Sequence, residues 1–140
     1  MSLNNVLNVD GARKGGDQVM AKILIVEDEA SNREIAMVIL RNVGHTVEEV
    51  TNGEEALQRL ADEPFDVVLM DVQMPVMDGL QATRAIRADP SLAHIRIVGV
   101  TARASASDRD EMLAAGMDAV VTKPYHNAHL RTVVDEVLRT

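Results

Sequence analysis

Four strand-length apolar runs, each broken at its carboxyl end by a residue that a buried strand would not tolerate, constrain this chain more than any other feature. The runs lie at 23–26, 66–70, 95–100 and 119–121, and a weaker alternating strand reads at 46–50. Between them the apolar spacing turns helical, over roughly 30–43, 53–62, 78–88, 105–115 and 127–139. Strands that are apolar on both faces and alternate with helices imply a parallel sheet covered on both sides. Five such units predict one α/β domain of doubly wound (βα)5 type. The punctuation agrees. Asn52 can cap the second helix, Ser105 with Asp108 resembles a capping box, and Gly44 and Gly116 fit the positions just past helix ends.

Composition matters mainly for the core. Phe65 and Tyr125 are the two aromatic residues, so Val, Ile, Leu, Ala and Met must fill the interior. The eight Met residues read as packing filler. Residues 1–20 are rich in Asn and Gly, without sustained period. They read as a flexible N-terminal extension or leader, with Met20 a plausible alternative start and 21–140 the domain.

The polar strand ends carry the functional argument. The first run breaks into Glu27-Asp28-Glu29, the third ends at Asp71, the fourth at Thr101, and the fifth, after Thr122, at Lys123-Pro124. In a parallel sheet these ends share one edge, where doubly wound folds bind ligands. Clustered carboxylates repel unless a cation neutralises them. Hard oxygen donors without His or Cys favour Mg2+. Lys123 adds positive charge beside Asp71, and the Thr101 hydroxyl offers a further hydrogen bond. This donor set suits a phosphoryl group, whose transfer depends mainly on positioning and charge stabilisation. Taken singly, an Asp before a loop is commonly a cap or turn former, and Lys123 a solvated lysine. Together, on one edge, they predict a site.

Other functions are disfavoured. Fourteen Lys and Arg against 22 Asp and Glu give a net charge of -8, which argues against nucleic-acid binding. No polybasic membrane patch is present, and no apolar stretch approaches the roughly 20 residues that span a bilayer. Cysteine is absent, so neither disulfides nor thiolate metal sites arise. A cytoplasmic location is expected. His45, His94, His126 and His129 fit no metal spacing and read as surface or capping residues.

The motifs Ile23-Leu24-Ile25-Val26-Glu27-Asp28-Glu29, Asp71-Val72-Gln73-Met74-Pro75-Val76-Met77-Asp78-Gly79, Val100-Thr101-Ala102 and Thr122-Lys123-Pro124 resemble those of receiver domains of bacterial response regulators. The intervals match as well: 43 positions from Asp28 to Asp71, 30 to Thr101 and 22 to Lys123. The resemblance covers about residues 21–139. The segment 89–95 is similar to single-domain and hybrid-kinase receivers. The resemblance implies a flavodoxin-like sheet of order 2-1-3-4-5. It implies that Asp71 is phosphorylated by a sensor histidine kinase or histidine phosphotransfer protein. Glu27, Asp28, Asp71 and the Gln73 backbone carbonyl would hold Mg2+. Thr101 and Lys123 would engage the phosphoryl group, small Ala102 would leave it room, and a cis peptide would precede Pro124.

Three departures stand out. Glu27 replaces the commoner Asp, keeping the charge. Val120 stands where many receivers carry the aromatic residue that pairs with the switch Thr. Ala119, after Asp118, also lacks the second acid of receivers that dimerise in transcription factors.

The resulting expectation is a phosphorylation switch rather than an enzyme, acting on a downstream protein. The alternative is a non-phosphorylated pseudo-receiver serving as an interaction module. A dehalogenase-like phosphohydrolase would need an Asp at position 73, which is Gln. An FMN module would need a Ser/Thr/Gly-rich loop where Glu27-Asp28-Glu29 stands. With no output domain after the last helix, the signal leaves by protein contact, or the chain is part of a larger protein. Gln73 and Arg103 flank the site and are expected to tune phosphoryl hydrolysis through water access.

Overall fold

A computed structural model describes residues 20–140. Of the expected extension over 1–20, residues 1–19 lie outside the described residues. The elements alternate strictly: β1 (Lys22–Val26), α1 (Ala30–Asn42), β2 (Thr46–Val50), α2 (Gly53–Asp62), β3 (Val67–Asp71), α3 (Gly79–Ala88), β4 (Arg96–Thr101), α4 (Ala106–Ala115), β5 (Ala119–Thr122) and α5 (Asn127–Leu138). All strand pairs are parallel, and the sheet order is β2-β1-β3-β4-β5. The doubly wound α/β fold and its 2-1-3-4-5 order are therefore as expected.

Side-chain alternation along each strand divides the interior in two. One cluster holds Ile23, Ile25, Leu69, Val98, Val100 and Val121 against α1 and α5. The other holds Leu24, Val26, Val68, Met70, Ile97 and Val120 against α2, α3 and α4. β3 is buried at every position, which explains its unbroken apolar run.

Capping largely follows the residue types. Asn52 accepts from the Glu55 N–H. Ser105 accepts from the Asp108 N–H at 3.1 Å and donates to its carboxylate, which is half of a reciprocal box. The complete box lies at α3 instead: Asp78 Oδ1 accepts from Gln81 N at 2.8 Å and Gln81 Oε1 from Asp78 N at 3.0 Å. Gly44 (φ 101°) and Gly116 (φ 118°) end α1 and α4 in the left-handed region.

Arg87 of α3 fastens the far end of α4. Its guanidinium donates to the carbonyls of Gly116 (2.8 Å), Ala93 (2.9 Å) and Ile95 (2.7 Å) and pairs with Asp118 at 2.8 Å. Asp118 also accepts from Ile97 N, so the α4–β5 turn is tied to β4 as well as α3. No helix among the described residues is long and apolar enough to cross a membrane.

Candidate functional site

Sheet register brings the acids together. Val26 pairs with Met70, so the residues that follow them, Glu27 and Asp71, are neighbours at the sheet edge. Thr101 pairs with Thr122, and Lys123 N donates to the Thr101 carbonyl at 2.9 Å, which carries the lysine over the same edge. Asp71 and Thr101 are the last residues of their strands, as the polar strand ends predicted. Glu27 and Asp71 are nearly inaccessible, at 1% and 3% exposure, while Asp28 is exposed.

Glu27, Asp28 and Asp71 each offer a carboxylate oxygen within 4.8 Å of the others. Lys123 Nζ stands 2.9 Å from Glu27 Oε1 and 3.3 Å from Asp71 Oδ2. Glu27 Oε1 is thus held by the Lys123 charge, and no other donor reaches it among the described residues. Its other oxygen accepts from Glu29 N at 3.2 Å, and Asp71 Oδ1 accepts from Gln73 N at a long 3.4 Å.

Burial pushes the Glu27 carboxyl up to about 7, and the Asp71 charge adds to this, against the opposing pull of Lys123. Burial works against the Lys123 charge too, but Glu27 and Asp71 outweigh it and hold its pKa above the usual lysine value. One lysine therefore serves both buried carboxylates. An under-hydrogen-bonded buried oxygen within an all-oxygen donor set fits a hard divalent cation. These acids, with Glu29, Gln73, Thr101, Ala102 and Lys123, line a cleft of about 410 Å³. The Lys123–Pro124 peptide is cis. Glu27, Asp28, Asp71, Gln73, Thr101, Ala102 and Lys123 thus line one cleft, and Pro124 follows the last of them.

The sequence reading missed three supports. Arg33 of α1 donates to the backbone carbonyls of Glu27 (3.1 Å) and Asp28 (3.3 Å), fixing the turn that presents both acids. Gly79 donates to the Val72 carbonyl at 2.9 Å, and any Cβ there would collide with the Asp71 carbonyl. That glycine is needed for close approach, not for φ. Its signal was present as Asp78-Gly79-Leu80-Gln81, a capping box opening a helix. The third support, Met112, lines a second cavity of about 430 Å³ on the far side of Thr101. Tyr125 packs against the α1/α5 core.

Residues 23–135 match the family model of the response regulator receiver domain. The chain is 41% identical over 119 residues to a two-component response regulator of Oryza sativa subsp. japonica, covering 82% of this chain and 92% of that protein. It is 42% identical over 116 residues to the sensor histidine kinase GacS of Pseudomonas protegens, covering 81% of this chain but 13% of the kinase. Among solved structures it resembles the receiver domain of the sensor histidine kinase PA1611 from Pseudomonas aeruginosa, with a magnesium ion coordinated in its active-site cleft. That match has a TM-score of 0.80 at 34% identity and covers 87% of this chain and all (100%) of that one. The chemotaxis protein CheY4 of Vibrio cholerae matches with a TM-score of 0.80 at 32% identity, over 85% of this chain and 99% of that one.

Proposed function

This chain belongs to the response regulator receiver domain family of two-component systems, and from that membership we propose that Asp71 accepts a phosphoryl group from a phosphohistidine and so switches binding to a downstream protein. Receiver domains are signalling modules and are generally not classed as enzymes. The observation that carries the reading is the cluster of Glu27, Asp28 and Asp71 with Lys123 over one cleft.

The chemistry is a displacement at phosphorus. An Asp71 carboxylate oxygen forms the new O–P bond as the N–P bond of phosphohistidine breaks, and the imidazole leaves with the electron pair and takes a proton. Lys123 orients Asp71 beforehand and pairs with the phosphoryl oxygens afterwards. Ala102, having only a methyl side chain, leaves the approach open. Thr101 turns its hydroxyl toward the new phosphoryl group, releasing the Arg103 N–H that it now accepts at 3.1 Å. Glu27, Asp28, Asp71 and the Gln73 carbonyl would hold Mg2+. When bound, the ion supplies positive charge against the clustered carboxylates and the incoming phosphoryl oxygens.

The phosphodonor partner is a sensor histidine kinase or a histidine phosphotransfer protein. Support comes from relatives that are receivers within histidine kinases or are themselves response regulators. The test is incubation with acetyl phosphate, with and without Mg2+, followed by mass spectrometry. Mg-dependent addition of one phosphoryl group, lost in Asp71→Asn, supports the reading. No addition to the parent chain would return it to an unmodified interaction module.

A further inference from the structure

Thr101 is a wall shared by two cavities. On one side lies the acid cleft of about 410 Å³. On the other lies the cavity of about 430 Å³ whose lining includes Val72, Met74, Leu80 and Met112. If the Thr101 hydroxyl turns toward Asp71, it vacates space that opens into this second cavity, and some neighbour must refill it or leave a void. Val120 cannot. It is a short β-branched side chain, 7% exposed, packed in the cluster between the sheet and α2, α3 and α4.

Met112 can. Gly99 lies two residues before Thr101 on β4, so the two side-chain positions share a face. The room left by the missing Gly99 side chain is occupied by Met112 and Met117. Met112 Cε is 2.6 Å from where a Gly99 Cβ would stand. The tip of Met112 thus lies along β4 just below Thr101, at the floor of the second cavity. Met112 is 2% exposed, yet its side chain is unbranched and can lengthen or shorten its reach by rotamer change. It also sits on α4, the helix that follows the loop carrying the Arg103 N–H bonded to Thr101. Side chain and loop therefore link the same hydroxyl to the same helix.

We propose that Met112 is the readout residue of this switch: its thioether moves from the floor of the second cavity into the space that Thr101 vacates and carries α4 with it, in the place of an aromatic side chain at position 120. The proposal rests on Asp71 as acceptor and Thr101 as the moving hydroxyl.

The test uses the full chain with 13C-methyl methionine and beryllium fluoride with Mg2+ as the phosphoryl mimic. 19F NMR reports occupancy. Met112→Leu, a volume-conserving change that cores tolerate, identifies the Met112 methyl resonance. The expected result is 19F occupancy with a displaced Met112 methyl peak, an unmoved Met117 peak, and loss of the Met112 displacement in Thr101→Ala at equal occupancy. Occupancy with Met112 unmoved, or with Met74 moving in its stead, overturns the proposal while leaving Asp71 as acceptor. Absence of bound fluoride overturns both.

Discussion

Lys123 reaches from the end of β5 to place its ammonium 3.3 Å from Asp71 Oδ2, and the same nitrogen is the cation nearest Glu27 Oε1, at 2.9 Å. Replacing it leaves two buried carboxylates without their counter-charge. Lys123→Met should lower the unfolding free energy by about 2 kcal/mol at pH 8 without divalent ions, a figure discounted because the lysine is partly exposed. Urea unfolding in EDTA reads this directly. Unchanged stability would mean that the acids do not depend on Lys123.

Magnesium should reverse part of that strain. A ligand held by the folded state alone, at a hundred times its dissociation constant, adds about 2.7 kcal/mol of stability. The parent chain should therefore gain thermal stability with MgCl2, and Asp28→Asn should gain much less. Equal gains in both proteins would remove Asp28 from the ligand set.

His45 makes stability depend on pH. Its Nδ1 accepts the Ala21 N–H at 3.1 Å, which requires the neutral ring. Burial holds its pKa below the usual 6.5, although Asp135 pulls the other way. The unfolded chain therefore binds a proton that the folded chain refuses. The stabilisation is full above pH 6.5 and is lost as pH falls toward and through the folded pKa. Glu27, whose carboxyl is pushed up to about 7, adds stability over the same fall in pH. The His45 contribution is therefore read as the difference between the parent and His45→Asn in denaturation from pH 7.5 to 5, a difference that should shrink as pH falls.

Val76 adopts a φ of 70° at 76% exposure in the β3–α3 loop. A β-branched residue is strained there, whereas Asn is tolerated. Val76→Asn should raise the unfolding free energy by about 0.5–1 kcal/mol. A loss of stability would show that Val76 has compensating contacts.

Gln73 and Arg103 are both exposed beside the acid cleft. Gln73→Ala and Arg103→Ala should each shorten the lifetime of the Asp71 phosphoryl group several-fold by admitting water. An unaltered decay rate in both variants would sink this idea.

The sequence made the strand ends legible because burial excludes polar residues from a two-sided sheet, so Glu27, Asp71, Thr101 and Lys123 declared themselves by interrupting apolar runs. Interactions between backbone and distant side chains left no such mark. Arg33 looked like any solvated helical arginine, yet it fixes the carbonyls of Glu27 and Asp28. Gly99 carried no mark of its role within the β4 run, because the methionines that occupy its space lie 13 and 18 positions later. The Asp78/Gln81 box was readable but was overshadowed by the family motif that contains it.

The Arg87 clamp has a mechanical consequence. By gripping the Gly116 carbonyl and Asp118, it makes the carboxyl end of α4 a fulcrum, while the Ser105 end next to Thr101 is closed by its own cap. The ten residues of α4 then form a lever arm about 15 Å long. A side-chain step of ångström size at Met112, toward the anchored end, becomes a change of tilt rather than a translation, greatest at Ser105 and vanishing at the anchored turn.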